Sequence, residues 1–128
     1  MKKITKHISV LIVMVLFTGL TCMAQSSAST EDGKNKQLKT YVIERDITGA
    51  GQFTPEKLKS ISETSCTVLK EMGPGIQWVH SYVTDNKIFC VYKAENIELI
   101  KEHAKRGGFP ANAIYEVSSV ISPATAKN

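Results

Sequence analysis

Two histidines, two cysteines and a carboxylate in the middle of a strand carry most of the chemistry available to the C-terminal two-thirds of this chain. His80 sits in the row Trp78-x-His80-x-Tyr82, and every second residue of a strand shares a face. A row of indole, imidazole and phenol suits a pocket or an interface, although such residues also pack plainly with their polar atoms satisfied. His103 follows Leu99 and Ile100 by four and three residues, on the inner shoulder of a helix. There it can donate into a space between helix and sheet, or serve as a favourable group near a helix C-terminus. Cys66 and Cys90 have three readings: small buried hydrophobes, a disulfide, or metal thiolates. No CxxC or HxxxH spacing is present, so any metal site must be assembled from distant segments. Glu44 and Asp46 alternate out of one strand face, with Arg45 on the other. Such carboxylates are paired, solvated or coordinating. An enzyme built on these residues would use His80 or His103 as acid/base and Tyr82 as a hydrogen-bond partner. No nucleophile–base–orienter arrangement can be read from the sequence, which leans against catalysis. In Lys105-Arg106-Gly107-Gly108-Phe109 the glycines close a helix, so the segment is a cap and not a phosphate cradle.

The elements that must position these groups are legible from patterning. Tyr41–Ile47 is a β-branched and aromatic run, predicted as the first strand. Thr54-Pro55-Glu56 is a strong helix start: a hydroxyl N-cap, proline at the first helical position and an acid at the positive end of the helix dipole. Leu58, Ile61, Ser62, Ser65, Val68, Leu69 and Met72 then form one helical stripe, stopped by Gly73-Pro74-Gly75. Ile76–Val83 and Lys87–Ala94 read as two strands joined by Thr84-Asp85-Asn86. A two-residue turn at Asp85-Asn86 sets Tyr82 opposite Phe89, His80 opposite Val91, Ser81 opposite Cys90 and Val83 opposite Ile88. On that register His80 and Cys90 point to opposite faces; a three-residue loop would reverse this. Glu95-Asn96 opens a second helix with Ile97, Leu99, Ile100, His103 and Ala104 inward, ended by Gly107-Gly108. Tyr115–Ser122 is predicted as the last strand. The order β-α-β-β-α-β predicts an α+β, ferredoxin-like βαββαβ sandwich. Both helices then lie on one face, and the other face needs a partner or a ligand. Sheet-to-sheet pairing of two copies, a dimeric α+β barrel, is the expected homodimer.

Residues 1–24 have the layout of a cleavable signal peptide: Lys2, Lys3 and Lys6, the apolar run Ile8–Phe17, then a small-residue exit with a cut after Ala24. Lipidation of Cys22 is a minority alternative. The apolar run is shorter than the ~20 residues of a stable bilayer span, so no membrane span is expected after cleavage. The expected destination is the periplasm or the exterior. Loss of three lysines lowers the formal charge from +4 to +1, which argues against nucleic acid as partner. Residues 25–39 hold one large apolar side chain, Leu38, and read as a flexible tether. A single domain is expected over residues 40–122, with a tail over 123–128.

The stretches YVIERDITGAGQFTPEKL, GPGIQWVHSYVTDNKIFCVY and EHAKRGGFPANAIYEV together resemble a bacterial family of small domains of unknown function. Its best-described member is a nickel-binding actinobacterial protein with a dimeric ferredoxin-like fold. The resemblance spans Tyr41 to Val120. It implies the fold, the dimer and a divalent metal ion, nickel, as cofactor. The ligand types available within the matched span are Glu44, Cys66, His80, Cys90 and His103, with His80 foremost; imidazole, carboxylate and thiolate all suit nickel. The alternative to a metal-binding protein is a dimeric α+β-barrel enzyme or a small-molecule binding module.

Overall fold

The computed structural model describes residues 36–127. The expected leader over residues 1–24, Cys22 within it and most of the expected tether lie outside the described residues. The elements run β1 (Lys39–Asp46), α1 (Pro55–Met72), β2 (Ile76–Val83), β3 (Lys87–Ala94), α2 (Ile97–Gly107) and β4 (Ala113–Glu116), with short 3₁₀ turns at Ala50–Gln52 and Pro123–Lys127. The four strands form one antiparallel sheet in the order β2-β3-β1-β4. This is the ferredoxin-like arrangement. No helix among the described residues is long and apolar enough to cross a membrane.

Local chemistry explains where the helices begin and end. Thr54 Oγ1 accepts the Lys57 N–H at 3.2 Å, and Pro55 occupies the first helical position. Asn96 Oδ1 accepts the Leu99 N–H at 3.1 Å and starts α2 in the same way. Gly73 and Gly108 close the two helices with φ of 79° and 68°, a region that disfavours side chains with a Cβ. Removing the N-cap by Thr54→Ala is expected to cost about 1 kcal/mol, seen as a lower urea midpoint at unchanged slope.

Alternation along the strands separates an inner from an outer sheet face. Tyr41, Ile43, Ile88, Cys90, Tyr92 and Ala94 are buried beneath the helices and join Ile76 and Ile100 in the core. Val42, Glu44, Phe89 and Val91 lie between them on the outer face and are only half-buried. The hairpin has the two-residue turn: the Thr84 N–H donates to the Lys87 carbonyl at 2.8 Å, and the expected pairs from Val83–Ile88 to His80–Val91 all form.

Two strand-level expectations are corrected. β4 covers Ala113–Glu116 and not Tyr115–Ser122. It pairs with Tyr41–Glu44, and the last bond runs from the Val117 N–H to the Thr40 carbonyl. β1 starts at Lys39, so little partner strand remains beyond Val117. Val120 and Ile121 stay exposed. The second correction concerns β2. A bulge at Val79 sets Trp78 opposite Tyr92 but His80 opposite the adjacent Val91. The extra residue switches the alternation, so Trp78, His80 and Tyr82 do not form one row.

Candidate functional site

The bulge gives β2 two different surfaces. Trp78 turns inward, where its Nε1–H donates to Ser81 Oγ at 3.0 Å. His80 and Tyr82 turn outward, exposed, with ring centroids 4.8 Å apart in an edge-to-face pair. Glu44 and Asp46 share the outer face and both contact Lys87 Nζ. Those hydrogen bonds, Glu44 first, raise the ammonium's pKa above its ordinary value. Tyr82 is 61% exposed and Tyr115 55%. Aromatic area of this kind on the face opposite the helices is suited to an interface.

The inner face carries a buried polar cluster. His103, 1% exposed, meets Ser65 Oγ through Nε2 at 3.2 Å, and the same oxygen meets Tyr92 OH at 3.1 Å. The His103 ring packs against Tyr92 and stacks on Phe109. Burial first, then the positive charge of Arg45, lowers its pKa to about 4, so the ring is neutral at pH 7. Burial pushes the Tyr92 phenol up to about 12. Arg45, 3% exposed, donates from Nε to Cys90 Sγ at 3.2 Å and from Nη1 to the Pro110 carbonyl, with its guanidinium over the Phe109 ring at 5.3 Å.

The fold therefore distributes the five ligand-type residues rather than gathering them. His80 and Glu44 occupy the outer face. Cys90 and His103 lie inside, and Cys66 is half-buried on α1 beside Ser65. Cys90 is a free thiol, so no bridge joins it to Cys66. Among the described residues, no three of His, Cys, Asp and Glu come together as a metal cluster. The inner cluster brings in Arg45, Ser65 and Tyr92, which carry no metal-ligand signal. One sign of Arg45's burial was available: it falls on the same side of β1 as Tyr41 and Ile43.

The fold and these two surfaces define a ferredoxin-like α+β domain with one sheet face under α1 and α2 and, among the described residues, the other uncovered. Residues 41–117 match the model of the "Nickel responsive protein SCO4226-like" family, and the chain belongs to that family. Among solved structures, SCO4226 from Streptomyces coelicolor A3(2) is similar, with a TM-score of 0.55 and 16% identity over 64% of this chain and 99% of that one. That likeness concerns the fold. No curated protein matches.

Proposed function

We propose that this protein is an exported nickel-binding protein acting as a homodimer, with the metal held on the outer sheet face. The observation that carries the reading is His80: an exposed imidazole on the face opposite α1 and α2, beside exposed aromatic surface. The nickel-responsive family supports the choice of ion. Imidazole and carboxylate are ligand types that nickel accepts, and one chain offers His80 and Glu44 on that face. Two copies packed sheet to sheet would supply two of each. Glu44 exchanges its contact with Lys87 for the metal in this reading. The leader pattern of residues 1–24 supports export.

The test is calorimetry with nickel alongside sedimentation. Wild type is expected to bind micromolar nickel as a dimer, and His80→Ala to lose binding by about tenfold or more, the order found when a metal site loses a supporting group. Unchanged affinity in His80→Ala removes the outer-face site. A monomer that binds nickel fully removes the two-copy arrangement.

A further inference from the structure

Arg45 is a buried cation, 3% exposed, with no carboxylate partner among the described residues. Its Nε donates to Cys90 Sγ and its Nη1 to the Pro110 carbonyl oxygen. An isolated charge in an interior is strongly unfavourable unless something neutralises it, and a guanidinium carries five N–H donors in a fork matched to carboxylates. The same side chain lines a cavity of about 180 Å³ between α1 and the inner sheet face. Leu58, Ile61, Trp78 and Ile88 supply apolar walls, and Ser62 a hydroxyl. The volume is slightly above the roughly 150 Å³ that accommodates a benzene ring in an apolar protein cavity. A cation at the wall of a small apolar chamber selects for charge and size together: one carboxylate on a compact apolar body.

We propose that this inner cavity binds a small organic monocarboxylate of about benzoate's size, with its carboxylate on Arg45 and its apolar body between α1 and Trp78. The site lies on the opposite side of the sheet from His80, so it is independent of the nickel reading. Trp78, turned inward by the bulge at Val79, forms the wall facing the helix.

Titration of the protein with benzoate and with uncharged benzamide, followed by amide NMR shifts, tests both halves of the proposal. Benzoate is expected to bind about tenfold or more tightly than benzamide, the range of one hydrogen-bonded charge pair, with shifts centred on Ile61, Trp78 and Ile88. Ser62→Leu, which fills the chamber from α1 and leaves Arg45 in place, should abolish binding. Arg45→Met should equalise the two ligands. Equal binding of benzoate and benzamide by wild type overturns charge recognition, whatever the folding of the Arg45 variant. No benzoate binding at millimolar concentration, or undiminished binding in Ser62→Leu, overturns the cavity as the site. Nickel affinity measured in parallel should be the same in Ser62→Leu as in wild type, so the two readings fail separately.

Discussion

Acidification from pH 7 to pH 4 is expected to remove about 2–3 kcal/mol of folding stability through His103 alone. The folded imidazole titrates near 4, against 6.5 for an unperturbed histidine. Its folded pKa is depressed, so the unfolded chain takes up the proton first. Stability is therefore complete above about pH 6.5 and drains as the pH falls toward 4, at up to 1.36 kcal/mol per pH unit. The physical causes are, first, the loss of water around a ring that is 1% exposed and, second, the Arg45 guanidinium. The other groups against the ring are neutral: Ser65 Oγ, the Tyr92 phenol and the Phe109 face. A protonated His103 would thus sit near a second cation with no carboxylate among these contacts to share. Urea unfolding at half-unit steps between pH 7 and 4 should show the loss in wild type. His103→Gln can keep a hydrogen bond to Ser65 but has nothing to titrate, and it should lose 2–3 kcal/mol less over the same interval. Parallel pH slopes in the two proteins would show that the ring is not held neutral by its surroundings.

The same cluster shows what a linear reading can and cannot supply. His103 was legible as an inward residue because Leu99, Ile100 and Ala104 fix the buried side of α2 through helical spacing. Its partner was not, because Ser65 lies on α1, 38 residues earlier, and only the packing of α1 against α2 brings them together. The β2–β3 register followed from turn chemistry at Asp85-Asn86, a local property that a sequence displays well. The bulge at Val79 is not local in that sense. Trp78-Val79-His80-Ser81-Tyr82 has a regular period of two, and nothing in it marks an extra residue. The bulge lets Trp78 roof the interior while His80 and Tyr82 face out. Tyr115–Ser122 differs for a related reason: its residues suit a strand, but strand length is set by the partner, and the β1–β4 bonding ends at Thr40. Arg45 was the least legible residue of all, since an arginine in a strand defaults to solvent.

Truncation of Ile43 to alanine should be among the most damaging single changes to the core. Ile43 has no exposed surface and stands in β1, a central strand, with Cys90 on one side and Ile114 on the other. β1 is hydrogen-bonded to both β3 and β4, so its backbone has little freedom to collapse into the space that three lost carbons leave. Isoleucine-to-alanine changes in such sites cost about 2–5 kcal/mol, the upper part applying where relaxation is restricted. An expectation of about 4 kcal/mol follows, equivalent to roughly 15–30 °C in melting temperature for a domain of this size. Val120 supplies the matched control. It is β-branched and apolar like Ile43, yet 79% exposed beyond the end of β4. Val120→Ala should change stability by less than about 0.5 kcal/mol. Thermal and urea unfolding of the two variants beside wild type measures the contrast directly. A mild effect at Ile43, or a large one at Val120, would mean that the core is centred elsewhere or that the segment after β4 packs against something in solution.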